Sequence, residues 1–354
     1  MREEPLLRID QSRSGSSAEF YLVEDVLVAD SLIVVADRGS GQLRFFDRQS
    51  GTHRYSVGGR GQGPGEFEWL NWASACGSKL VFAADAIQRR VSTYGPDGEL
   101  LDTRLVSPMS GAGTLHEVFC DDQGHLFGAF QSTRVDATAV LSAYRPLWTI
   151  RQIGPYDSEA LATIAGHERM LYRNSDNYRI FGKRTVLAAG PGGVLVGDGE
   201  EFSFVILPAD GGERMKVDFP VEPEMVRDAQ IDEVVRTHIA GVIAKGASPD
   251  ISETISRNYA ELEYPTYFPP YNRAEVDREG RWWVQRYPSP LPDAPSKRLV
   301  WEVFSALGEH LGSVVMPPGF SAMWFGSGVV AGRTRVENDI EVIDVFPLPA
   351  FFSR

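Results

Sequence analysis

Short apolar runs recur along the chain, separated by turns rich in Gly, Asp and Pro, and their spacing predicts strands rather than helices. The first group is Tyr21–Val28, Ser31–Ala36, Gln42–Phe46 and Thr52–Val57, four short strands joined by turns such as Gln49-Ser50-Gly51. A second group repeats it at Glu68–Ser74, Lys79–Ala84, Gln88–Tyr94 and Glu99–Val106, with Gly95-Pro96-Asp97-Gly98 as the last hairpin turn. Both groups carry Ala-Asp after the second strand, at Ala36-Asp37 and Ala84-Asp85. Further groups span Leu115–Gly154, Arg184–Phe219 and Tyr271–Met316. A sixth has three strands only, near Ser321–Phe325, Val329–Arg335 and Ile340–Phe346.

The missing strand has a candidate at the other end of the chain, in Leu6-Leu7-Arg8-Ile9-Asp10. Pairing it into the last group closes a ring and removes exposed sheet edges. The pattern thus predicts an all-β chain, residues 1–354 forming a single six-bladed β-propeller domain with N-terminal strand closure. Setting aside two stretches read as non-β insertions, 155–183 and 221–269, leaves about 46 residues per unit, within the range of four-stranded propeller repeats.

The second insertion, between blades four and five, reads as two helices. Pro223 opens the first, Val226, Ile231, Val234, Val235, His238, Val242 and Ile243 recur at helical spacing, and Gly246 ends it. Ser248 caps the second, with Pro249 at its first position and Ile251, Ile255, Tyr259 and Leu262 as its apolar stripe. Both insertions fall on outer-to-inner strand connections, so they are expected on one face, beside the channel mouth. Such an insertion serves as a stabilising cap, as the wall or lid of a ligand pocket, or as a partner surface.

Composition narrows the function. Thirty-five Lys and Arg against 48 Asp and Glu give a net charge of -13, which argues against nucleic acid as a partner. No apolar run is long enough for a membrane span, and Met1-Arg2-Glu3-Glu4-Pro5 does not read as a signal peptide. Cys76 and Cys120 are too few for a disulfide framework; buried free thiols are expected, with a disulfide only if their Cβ vectors converge.

The loop GGRGQGPGEF (Gly58 to Phe67), the Val35-Ala36-Asp37 triplet and the D-x-x-G-x-x-W-V of Asp277 to Val284 resemble the bacterial six-bladed β-propellers related to the NHL-repeat group. The resemblance implies the fold and, because that group is mostly exported or lipid-anchored, a periplasmic or extracellular location. It implies no reaction.

Residues at the inner ends of the connections should line the channel mouth. As ligand-binding candidates these are Arg60, Trp69 and Trp72, then Arg173, Tyr178 and Arg179 from the first insertion, Tyr267, Tyr271 and Arg273 from the second, and Trp324 from blade six. Aromatics with arginines at a concave mouth suit a small organic anion, a sugar or a peptide, or else a protein partner. His116 and Glu117 are the candidate catalytic pair.

The glycine loop is not followed by a helix, so a phosphate cradle is not predicted; Glu66 is expected to accept backbone N–H bonds there. No H-E-x-x-H, clustered Cys/His, EF-hand or G-x-S-x-G motif occurs. No cofactor is predicted, though calcium or zinc could be held by single residues from several blades. Two readings follow. One is a ligand- or partner-binding propeller without its own chemistry, and the other is a propeller enzyme of lactonase, hydrolase or lyase type, metal-dependent or using a His116-centred acid/base group.

Overall fold

A computed structural model describes the chain apart from residues 2–3, 78–79, 107–113, 132–141, 155–159, 173–174, 209–211, 292–297, 327, 350–351 and 353–354. Among the described residues, six four-stranded antiparallel sheets follow one another, the strands of the first five lying in chain order. Blade one is Val23–Ala29, Leu32–Asp37, Gln42–Asp47 and His53–Gly58; blade two is Leu70–Cys76, Leu80–Asp85, Arg90–Tyr94 and Leu100–Leu105. Blade three is Leu115–Cys120, Leu126–Gln131, Leu147–Ile153 and Ala160–Ala165, and blade four Val186–Gly190, Gly193–Gly197, Ser203–Leu207 and Met215–Asp218. Blade five is Tyr271–Val276, Trp282–Arg286, Val300–Phe304 and His310–Val315. Blade six combines Phe320–Gly326, Val329–Arg335 and Glu341–Pro347 with Leu7–Ile9 from the start of the chain. The first strand of each blade packs against those of both neighbours, so the inner strands ring a channel.

The closing strand is fixed in register by Leu7 opposite Val345 and Ile9 opposite Ile343. Between them, the Arg8 guanidinium donates two 2.7 Å bonds to the fully buried Asp344 carboxylate, which also accepts from Thr334 Oγ1.

The core is divided into six apolar seams, one per blade junction. In the second strand of blade one, Ile33 and Val35 enter the seam with blade six, while Val34 and Ala36 enter the seam with blade two. Successive residues of a strand face opposite ways, so a strand covered on both faces is apolar throughout.

The repeated Ala-Asp has a structural cause. Asp85 is fully buried and ties two loops together: it accepts from the N–H groups of Glu68 (2.7 Å) and Trp69 (3.0 Å) in the incoming link, and from those of Ile87 (2.8 Å) and Gln88 (2.9 Å) in its own turn. Asp37 does the same for Tyr21, Leu22 and Gly39.

The glycine loop is clamped from behind. Arg90 donates to the carbonyls of Gln62, Gly63 and Glu66, Gln88 to that of Gly61 and Tyr94 to that of Gly65, while Glu66 accepts from Gly63 N–H at 2.8 Å. Its carbonyls converge on these protein donors, the reverse of the N–H ring a phosphate needs.

Three expectations are corrected. Residues 155–183 are not a non-β insertion: Ala160–Ala165 is the outer strand of blade three, and Arg169–Tyr172 with Ser175–Tyr178 forms a hairpin that pairs with Ser142–Tyr144 in a separate three-stranded sheet. The helices begin later than expected. The first is Asp228–Ala244, with the Gln230 side chain accepting from Arg227 N–H, and the second is Ile251–Ala260. Finally, Cys76 and Cys120 form a disulfide across the seam between blades two and three, because the ends of their inner strands bring the Cα atoms to 5.3 Å.

Candidate functional site

Five of the six inner strands carry a register shift near their start, at Val23/Asp25, Leu70/Trp72, Leu115/Glu117, Tyr271/Arg273 and Ala322/Trp324. Each is a β-bulge, in which two residues oppose one on the neighbouring strand and side chains are re-aimed. Two consecutive residues therefore reach the channel from each of these blades: Glu24 and Asp25, Asn71 and Trp72, His116 and Glu117, Asn272 and Arg273, Met323 and Trp324. The cavity they line has a volume of about 680 Å³.

Arg273 lies among carboxylates, 2.9 Å from Glu275 and 3.7 Å from Asp25, and Asp25 also accepts from Ala73 N–H at 3.0 Å. Burial pushes Asp25 up to about 7, Glu117 up to about 8, and Glu275 above the usual carboxylate range. Glu275 and Asp25 add to the rise at Glu117 by like-charge repulsion.

The histidines shift the other way. His116 stacks on Trp148 with ring centroids 4.7 Å apart, its Nε2 bonded to Gln131 at 2.8 Å, and burial lowers its pKa. His167 sits edge-on to the same Trp148, its Nδ1 accepting from Thr185 N–H, and burial with nearby Arg184 holds it down to about 3. Near neutral pH the site therefore pairs neutral imidazoles with carboxyl groups that readily keep a proton.

This arrangement sets the sign of a pH dependence. Between the unfolded Glu value of about 4.3 and the folded value, the native state binds the extra proton, so Glu117 withdraws stability as pH rises through that window. Glu117→Gln, which cannot ionise, is expected to match wild type at about pH 4 and to be more stable by about 2 kcal/mol above pH 8, measured by denaturant midpoints. That figure is scaled down from full linkage because channel water still reaches the site: Asp25 keeps 21% and Arg273 30% of its side-chain surface exposed. His116 and His167 act oppositely, contributing stability above the unfolded His value and losing it in acid.

Of the sequence-derived candidates, His116, Glu117, Trp72, Arg273 and Trp324 meet in the channel. Arg60, Trp69, Tyr178, Arg179, Tyr267 and Tyr271 do not line it. Arg60 donates to Gly39 O, and Trp69 is exposed under the guanidinium of Arg38. Tyr178 is exposed between Arg169 and Arg184, with its edge toward His167. Arg179 pairs with Glu168 at 2.7 Å and donates to Glu263 O, joining the hairpin to the helical insertion. Tyr267 lines a separate cavity beside the stem of that insertion, and Arg173 lies outside the described residues.

Tyr271 is fully buried, and its hydroxyl accepts from Gly199 N–H and donates to Ser203 O, so it fastens blade four to blade five. Tyr271→Phe should cost about 1–3 kcal/mol of unfolding free energy, read by chemical denaturation, and leave any channel ligand's affinity unchanged.

Among the described residues, no part of 221–269 lines the channel, and His167 alone does so from 155–183. The helices rest instead on the hairpin, through Tyr172 Oη on Glu261 and Arg179 on Glu263. Asp25, Glu275 and His167 were missed by sequence reasoning. The legible signal was a pair of residues held between two buried ones, as in Val23-Glu24-Asp25-Val26 and Leu115-His116-Glu117-Val118, which breaks strand alternation where the bulge falls. Among the described residues, no three His, Cys, Asp or Glu side chains converge tightly enough to hold a metal ion.

No curated protein matches the chain by sequence. Among solved structures, similarity extends to a Bacteroides fragilis protein provisionally classed as exported, at 13% identity and a TM-score of 0.49, covering 94% of this chain and 92% of that one. It also extends to a gluconolactonase from Xanthomonas campestris (12%, TM-score 0.45, 94% and 88% covered) and to a luciferin-regenerating enzyme (10%, TM-score 0.46, 98% and 96% covered). Residues 15–137 match a family model described as a 6-bladed beta-propeller, the architecture that the six sheets display over the whole chain.

Proposed function

We propose that the protein is a ligand-binding propeller, related to the NHL-repeat group, whose site is the channel mouth. The observation that carries this reading is the bulge repeated on five inner strands, which turns polar and aromatic pairs into one cavity. Concave sites of a few hundred Å³ in which convergent polar groups meet aromatic side chains are where small molecules bind. The Cys76–Cys120 disulfide supports an oxidising compartment, hence a periplasmic or extracellular location. A small-molecule library screened by thermal shift tests the site. Compounds that stabilise wild type should lose their effect in Trp72→Ala and Trp324→Ala; hits that survive both substitutions would remove the channel from consideration.

A second reading is an enzyme of lactonase, hydrolase or lyase type. It is favoured by one bulge presenting consecutively a histidine whose pKa burial lowers and a carboxyl whose pKa burial raises, so that a neutral imidazole stands beside a carboxyl that readily keeps its proton. Turnover of a lactone or ester that disappears in His116→Ala, with binding retained, would support it; turnover indifferent to that change would remove it.

A further inference from the structure

We propose that the channel site takes a ligand carrying a protonated amine or guanidinium group and seats that cation on the Glu117 carboxylate; this rests on the channel being the binding site. The carboxylates around it are provided for. Glu24 pairs with Arg38 at 2.6 Å, Asp25 takes the Ala73 N–H and shares Arg273, and Glu275 holds Arg273 at 2.9 Å. Glu117 is different. Among the described residues, no hydrogen-bond donor and no ion-pair partner reaches its carboxylate, although it lines the same cavity.

The groups that face it make the deficit larger. Glu275 and Asp25 add negative charge, Arg273 supplies the opposing positive charge and is already engaged by both, and the adjacent His116 is held neutral. An ionised carboxylate without a partner in a partly enclosed channel is costly; desolvation first, and then the Glu275 and Asp25 charges, push its pKa up to about 8. A ligand anion would meet this field, and Arg278, which also lines the cavity, lies over the Trp324 ring and donates to Val28 O rather than facing Glu117 or its neighbours. A neutral hydroxyl would give one hydrogen bond and leave the charge uncompensated. A cationic group supplies both donor and charge. Trp72 and Trp324 line the same cavity and offer flat faces to the cation or to the apolar body that carries it.

The test uses three ligands with one aromatic body and different head groups: phenethylammonium, phenethyl alcohol and hydrocinnamate. Their affinities for the full chain are measured by isothermal titration calorimetry at about pH 8.5, where Glu117 is mostly ionised. Phenethylammonium should bind roughly tenfold or more tighter than the alcohol, with hydrocinnamate weakest, since a charge-assisted hydrogen bond is worth about 1.5–3 kcal/mol. Glu117→Gln, isosteric with the protonated side chain and checked for an unchanged fold by circular dichroism, should erase the preference and keep the alcohol's affinity. Equal or tighter binding of alcohol or carboxylate overturns the assignment, as does a preference that survives Glu117→Gln. Failure of all three to bind also overturns it, and the Trp72 and Trp324 variants then decide separately whether the channel reading stands.

Discussion

Asp85→Ala should lower the free energy of unfolding by about 4 kcal/mol, because the substitution strips acceptors from several backbone N–H groups at once. Glu68 and Trp69 in the incoming link, and Ile87 and Gln88 in the turn, all donate to this carboxylate, which is fully buried. The carboxylate joins the link to the turn, alongside Gln88 on Gly61 O and Ala86 N–H on Asn71 Oδ1. Asp85→Asn should lose less, since the amide keeps one acceptor oxygen. The measurement is a urea midpoint at constant slope; a loss under about 1 kcal/mol would mean that water replaces the carboxylate and that the Ala-Asp repeat has another cause.

Reducing the Cys76–Cys120 bridge, or replacing both cysteines by alanine, is the second large effect. A cross-link closing a loop of 44 residues removes unfolded-state entropy worth about 4 kcal/mol in the chain-entropy treatment. The expected result is a melting temperature several degrees lower with reductant, and no further change on adding reductant to the double alanine variant. Because the bridge spans the seam between blades two and three, hydrogen exchange should quicken first along Leu70–Cys76 and Leu115–Cys120. Equal melting with and without reductant would show that apolar packing of the seam suffices by itself.

The propeller was legible because its middle strands are covered on both faces. Ile33, Val34, Val35 and Ala36 serve two different seams, so the chain spells a continuous apolar run and turns punctuate it. Ala160–Ala165 was not legible for the same reason reversed: an outer strand whose side chains are exposed or half-buried carries too few large apolar residues to stand out. In the candidate site, Trp72, His116, Glu117, Arg273 and Trp324 could be placed from their positions at the starts of inner strands. Asp25 and Glu275 could not, because which of two adjacent residues faces a channel depends on register, and each bulge shifts the register by one residue. The cysteines depended on distance alone: 44 residues apart in the chain, they meet only when two blades are side by side.

The closing strand sets an order of events during synthesis. Leu7–Ile9 leave the ribosome about 336 residues before their partner strand Glu341–Pro347. While the intervening blades emerge, the opening strand has no sheet to join, and the last sheet must find it across the circumference of the ring. Arg8 and Asp344, 336 residues apart, form their ion pair only at that final step. A chain stalled before residue 341 would hold its first blades as an open arc with an unpaired edge, vulnerable to pairing with another stalled copy; translation speed over the last blade thereby becomes a determinant of yield.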